Sequence, residues 1–191
     1  QKQLLKIGVL TDKFEKSLLT SPWLDAFTET PSGSTSQVPV DWQIDLGNYC
    51  NSACVFCSPT SSSRLAQELK TIGIIPELPP PNWSQDSAQL NKLLKELADT
   101  EELNPIHYIH FIGGEPMIIP AFKEILKRMI KPKAIGFTTN MTVWDEEIIE
   151  LLKPHEVNLG LSIECFSELN DYVRYGSNIA DIKTNLQKWV A

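Results

Sequence analysis

The sequence predicts an α/β fold built on parallel strands, and three observations carry that expectation. From Ile106 onward, short apolar runs of strand length alternate with helical patterns, the order that gives parallel strands joined by right-handed crossovers. Four clusters of polar or sulfur-bearing residues each fall at the carboxyl end of a strand candidate, which is where function collects in barrels and in open parallel sheets alike. The totals suit one sizeable core, with 191 residues of which 42% are hydrophobic and 21% charged. On the residues alone, a barrel and an open doubly wound sheet both remain possible.

Residues 1–39 read as an N-terminal extension and linker. Leu4–Leu10 suits a strand or a short helix, and Thr30-Pro31-Ser32-Gly33-Ser34-Thr35-Ser36 has loop composition. The main domain is expected over residues 40–191. An extended run from Val40 to Leu46 delivers Asn48-Tyr49-Cys50-Asn51-Ser52-Ala53-Cys54-Val55-Phe56-Cys57. A serine or threonine within Ser58–Ser63 then caps a helix over Arg64–Thr71. Ile74–Trp83 contains Pro79-Pro80-Pro81 and reads as a loop, because proline removes a helix donor and clashes with the preceding turn. Ser84 or Asp86 opens the next helix, in which Leu90, Leu93, Leu94 and Leu97 repeat at helical spacing.

The regular part follows. Ile106–Ile112 is a predicted strand ending in Gly113-Gly114-Glu115-Pro116, and Pro120–Ile130 a helix with Phe122, Ile125, Leu126 and Met129 on one face. Ala134–Thr138 is a strand running into Thr138-Thr139-Asn140, and Asp145–Leu152 a helix. Val157–Ile163 is a strand ending at Ser162-Ile163-Glu164, where a period of two puts Ser162 and Glu164 on one side. A last helix covers Ile179–Val190, with Ile182, Leu186 and Trp189 or Val190 inward. The chain starts at Gln1 and stops in mid-pattern at Ala191, which suggests a piece of a longer protein.

Cys50, Cys54 and Cys57 stand as C-x-x-x-C-x-x-C on one short loop. Soft thiolates so placed can converge on an iron–sulfur cluster or on zinc. Three protein ligands leave one metal position open, whereas a closed zinc site needs a fourth, here only His107, His110, His155 or Cys165 from far away. Free buried cysteines would scatter rather than cluster. An open iron–sulfur site leads, with Cys165 and the histidines read as structural. His107 and His110, three apart on a strand, face opposite sides and cannot form a helical metal pair.

The other clusters supply a cavity. Gly113-Gly114 lets backbone approach a ligand closely, Glu115 offers an acceptor for an ammonium group, and Pro116 stiffens the exit. Thr138, Thr139 and Asn140 bring hydroxyls and an amide, and Ser162 suits a ribose or carboxylate contact. Taken alone, each is equally a turn or a cap, and Arg174 a surface charge. The 17 basic and 24 acidic side chains give a net −7 without a basic block, which weighs against a nucleic-acid substrate. No apolar run reaches the roughly 18 residues of a membrane span, no signal segment opens the chain, and the cysteine pattern is not a disulfide framework. A cytoplasmic setting is expected.

With these residues in hand, the chain resembles the radical S-adenosylmethionine (radical SAM) superfamily over about residues 40–191. The resemblance lies in the three-cysteine pattern with Phe56 before its last member, the Gly-Gly-Glu-Pro turn, the Thr-Thr-Asn turn, and Ser162-Ile163-Glu164 with Arg174 downstream. Glu164 stands where aspartate is more usual and Cys165 where glycine is common. Leu46-Gly47-Asn48 and the stretch Asp171–Gly176 resemble the SPASM/twitch group. The resemblance implies a partial (β/α) barrel with about four βα units present. It also implies a [4Fe-4S] cluster on Cys50, Cys54 and Cys57, and S-adenosyl-L-methionine on the fourth iron. Reductive cleavage would give a 5'-deoxyadenosyl radical that takes hydrogen from a peptide or small-molecule substrate, with flavodoxin or ferredoxin as electron donor. Cofactor contacts implied by the resemblance are Phe56, Gly113, Gly114, Glu115, Pro116, Thr139, Asn140, Ser162, Glu164 and Arg174. The rival reading is a non-enzymatic half-barrel, stabilised by zinc or a cluster, that binds a partner protein.

Overall fold

Four strands of alternating or fully apolar pattern pair into one sheet: β1 (Asp41–Asp45), β3 (Tyr108–Ile112), β4 (Ala134–Thr139) and β5 (Glu156–Leu161). Their order is β1-β3-β4-β5 and every neighbouring pair is parallel. Each new strand adds on the same side, with no reversal of order. A doubly wound sheet needs such a reversal, so the arrangement is the singly wound one of a partial barrel. The computed structural model describes residues 41–103, 106–129 and 133–190; the expected N-terminal extension and the Ile130 end of the third helix lie outside them.

Right-handed crossovers put the connecting helices on one face of such a sheet, and burial shows which. Ile109, Phe111, Ile135 and Phe137 point to the buried face, against α2 (Ser87–Leu103), α3 (Pro120–Arg128) and α4 (Glu146–Leu152). Phe122 of α3 sits between Phe111, edge-on at 4.9 Å between ring centroids, and Phe137 at 5.2 Å. Each such buried ring contributes roughly 1.5–3 kcal/mol over an exposed one. Helix α1 (Ser63–Thr71) precedes α2, and α6 (Ile179–Val190) packs through Ile179 and Ile182 against Met141. Trp189, not Val190, is the residue that turns inward at its end.

Local chemistry explains the boundaries. Ser62 caps α1 by accepting from the Leu65 N–H at 3.1 Å. Asp86, rather than Ser84, caps α2, accepting from Ala88 and Gln89. Strand β3 starts two residues later than Ile106, which is buried but outside the ladder. Strand β5 stops at Leu161, so the period-two placement of Ser162 and Glu164 does not apply. Ser162 still donates to Thr139 O at 2.9 Å. The chain then turns, and Glu164 N–H donates to Asn170 Oδ1 at 3.0 Å. A short helix α5 (Leu169–Val173) and a two-residue strand β6 (Arg174–Tyr175) follow, the latter antiparallel to β2 (Ala53–Cys54). That small ribbon was not legible in the sequence. Among the described residues no helix is long and apolar enough to cross a membrane.

Candidate functional site

The cysteine loop leaves the carboxyl end of β1 and is held from three sides. Leu46, fully buried, extends the pairing by donating to Ile112 O at 2.8 Å. The start of α1 grips the loop next. Ser63 N–H donates to Asn48 O at 2.7 Å, Cys50 N–H to Ser63 Oγ at 3.1 Å, Ser62 Oγ to Ser52 O at 2.6 Å, and Arg64 Nη1 to Asn51 O at 2.8 Å. Ribbon β2–β6 closes the third side, with Cys54 opposite Arg174 and Val55 N–H on Val173 O at 2.9 Å.

All four cysteines are free thiols. Burial pushes the Cys50 thiol up to about 11; the Ser52 N–H at its sulfur opposes this, while Glu115, Cys54 and Cys57 add to it. Burial also raises Cys54, and the Arg174 guanidinium pulls it back. Among the described residues no three His, Cys, Asp or Glu side chains converge as one metal ion requires. Zinc binds sulfur at about 2.3 Å and draws its ligands together, whereas in a [4Fe-4S] cluster each thiolate meets its own iron. Three free thiols on one short loop fit the cluster. Three of the four distant candidates have other partners: His110 Nδ1 pairs with the Tyr108 hydroxyl at 2.9 Å, His155 Nδ1 accepts from Lys133 N–H at 3.3 Å, and Cys165 lies 3.3 Å from Ser167 Oγ.

The second turn packs directly on this loop. Gly113 and Gly114 have φ of +89° and +49°, a region that favours glycine. A Cβ on Gly113 would overlap Asp45 Oδ1, and one on Gly114 would overlap Tyr49 O. Glu115 N–H donates to that same Tyr49 oxygen at 2.9 Å. The Glu115 side chain, 2% exposed, turns inward and accepts from Met117 N–H at 3.1 Å, Thr139 Oγ1 at 2.7 Å and Asn140 N–H at 2.6 Å. Burial raises its pKa against these three donors. Pro116 opens a single 3-10 turn, Pro116–Ile118. Glu115 thus ties the second strand end to the third.

The third turn reaches back to the cysteines. Met141 has φ +56°, rare for a non-glycine residue and a mark of a constrained turn; Asn185 of α6 fixes it by donating to Met141 O at 3.0 Å. This presents Asn140, whose Nδ2 donates to Asn51 Oδ1 at 2.8 Å and Ser52 Oγ at 3.1 Å. Thr142 completes the ring, donating to Asn140 Oδ1 at 2.7 Å and accepting from Asn51 Nδ2 at 2.8 Å. Asn51, Ser52 and Thr142 were not singled out from the sequence. For Asn51 and Ser52 the available signal was their position between Cys50 and Cys54, and for Thr142 its place two residues after Asn140. On the fourth wall Arg174 joins Glu164 at 2.6 Å and lies 4.9 Å over the Phe56 ring, while Ser162 is half-buried beside Thr139. The predicted residues thus fall on one connected rim.

Below that rim, the sheet face away from the helices is polar. The register sets Gln43, His110, Gly136 and Asn158 in one row across four strands. Gly136 leaves room there: a Cβ would overlap the Tyr108 hydroxyl and press on His110 Nδ1.

A parallel half-barrel with an open three-thiol loop on its carboxyl rim defines an iron–sulfur cofactor domain. Residues 44–191 match the radical SAM superfamily, and the chain belongs to it; the family uses a [4Fe-4S] cluster and S-adenosylmethionine. The sporulation killing factor maturation protein SkfB of Bacillus subtilis (strain 168) is 25% identical over 185 residues, covering 91% of this chain and 39% of SkfB. The mycofactocin maturase MftC of Mycobacterium tuberculosis (strain CDC 1551 / Oshkosh) is 24% identical over 159 residues, 82% of this chain and 35% of MftC. The chain therefore spans well under half of each relative. The crystal structure of Streptococcus suis SuiB bound to S-adenosylmethionine has a TM-score of 0.54 at 17% identity, over 98% of this chain and 39% of SuiB; that likeness shows the fold.

Proposed function

We propose that this chain is the cluster-bearing part of a radical SAM oxidoreductase that modifies a peptide. The observation that carries the reading is the convergence on the cysteine loop, itself the continuation of β1, of the turns after β3 and β4 and of strand β6, through Tyr49, Asn51, Ser52 and Cys54. Cys50, Cys54 and Cys57 would hold the cluster, leaving one iron for S-adenosylmethionine. When bound, the pair supplies a one-electron cleavage that yields methionine and a 5'-deoxyadenosyl radical able to take hydrogen from substrate.

The protein's own part is to bind, orient and exclude water. The Gly113-Gly114 turn would let backbone approach the methionyl end of the cofactor, with Glu115 bracing the turn and Pro116 fixing its exit. Thr139 and Asn140 hold the loop in register, the Phe56 backbone would contact the adenine, and Ser162, Glu164 and Arg174 would contact the ribose or carboxylate. The polar face with Gln43, Tyr108, His110 and Asn158 is the surface for the substrate. A peptide is the favoured substrate because two relatives are named for maturation. A flavodoxin or ferredoxin supplies the electron, and a reducing, cytoplasmic compartment suits the free thiols.

Anaerobic reconstitution with iron and sulfide, followed by electron paramagnetic resonance of the reduced protein with and without S-adenosylmethionine, tests this. A [4Fe-4S] signal that changes on adding S-adenosylmethionine, is lost in Cys54→Ala, and accompanies 5'-deoxyadenosine release is the expected result. Stoichiometric zinc without a cluster would overturn it.

A further inference from the structure

We propose that Arg174 is a positioning residue for the cluster: it fixes a positive charge against the Cys54 ligand and raises the cluster's reduction potential, and Glu164 sets how much of that charge is felt. The inference rests on the cluster reading above.

Backbone places the two residues first. Cys54 and Arg174 are direct partners in the antiparallel β2–β6 ladder, so their side chains share one face of the ribbon. Arg174 Nη1 then donates toward Cys54 Sγ at 3.8 Å. Its guanidinium is held from two further directions, by the Phe56 ring 4.9 Å below and by Glu164 Oε1 at 2.6 Å from Nη2. The side chain is only 13% exposed, and Nε, buried, has no hydrogen-bond partner among the described residues. An arginine so enclosed is a fixed charge, because guanidinium does not deprotonate in proteins.

The direction of its effect follows from charge. Reduction takes one electron from a donor such as dithionite onto the cluster and forms or breaks no bond, so the reduced state carries one more negative charge. A cation and a donor at a ligand sulfur favour that state, and both act strongly where water is largely excluded. Glu164 opposes Arg174 from the more exposed side. It is one methylene longer than the aspartate more usual at that position, and the pair closes at 2.6 Å. Removing either partner therefore moves the potential in opposite senses.

The test is a potentiometric titration of the full chain, reconstituted anaerobically and followed by the resonance signal of the reduced cluster without S-adenosylmethionine. Arg174→Gln is expected to lower the midpoint, Arg174→Lys to stay nearer the parent, and Glu164→Gln to raise it. A purely structural arginine would give no such reversal of sign. Iron content and circular dichroism report whether each variant is folded and loaded. If Arg174→Gln takes up no iron, Glu164→Gln and Arg174→Lys decide: an unchanged midpoint in Glu164→Gln overturns the proposal. Loaded variants with the parent's midpoint, or with shifts of one sign, overturn it while leaving the enzyme reading intact. A parent chain that takes up no cluster overturns both.

Discussion

The backbone N–H of Glu115 donates to the carbonyl oxygen of Tyr49 at 2.9 Å, which binds the second strand turn to the cysteine loop one residue before its first ligand. The bond needs Gly114 at φ +49°, where a Cβ would overlap that oxygen. Gly114→Ala is therefore expected to displace the loop. The loss is about 1–3 kcal/mol from the left-handed backbone and overlap, with iron uptake falling several-fold. Iron per chain and a denaturation midpoint check both.

The Glu115 side chain accepts three hydrogen bonds in a buried place. In Glu115→Gln the amide nitrogen cannot accept, so one buried donor is stranded, at about 1–3 kcal/mol at pH 7. Burial holds the parent carboxyl above its usual range, so on acidification the folded chain takes up this proton before the unfolded chain does, and the parent gains stability that the non-titrating variant does not. The gap between parent and variant should therefore widen as pH falls through the folded value toward 4.5, as denaturant titrations along that range would show.

Asn140 and Asn51 join the third turn to the cysteine loop at 2.8 Å. A double-mutant cycle of Asn140→Ala and Asn51→Ala should give a coupling energy of about 0.5–3 kcal/mol, the range for residues in one network. Simple additivity in thermal denaturation would show that the contact does not hold the loop.

At the opposite end of β5, His155 Nδ1 accepts from Lys133 N–H, a role that only an unprotonated nitrogen fills. Burial, then the Lys133 charge, depresses its pKa below 6.5. Below pH 6.5 the unfolded chain takes up a proton that the folded chain resists. The stability from this site is thus present above pH 6.5 and lost as pH falls from 6.5 toward the folded value. His155→Gln should flatten that part of the stability–pH curve, with the site's chemistry untouched.

Much of this was legible in the sequence because it is local. Strand and helix periods, the proline loop, and the glycine and cysteine spacings gave the four parallel units and the rim residues within a few positions. The boundaries that moved did so where a tertiary bond took over, as at Ser162, which still pairs with Thr139 after β5 has ended. The inner face of β3 was hidden for a related reason. Tyr108 and His110 look unremarkable alone and become a pair only because Gly136 on the next strand makes room.

By itself the sequence determined the elements and the kind of ligand, since backbone propensity and thiol chemistry are properties of neighbouring residues. Only the tertiary structure decided the partners. Glu115 turned inward to Thr139 and Asn140, Asn51 met Asn140 across 89 positions, and Arg174 met Cys54 across 120. Such contacts depend on which strand ends lie side by side, and sheet order is set by the packing of the whole core rather than by any one segment.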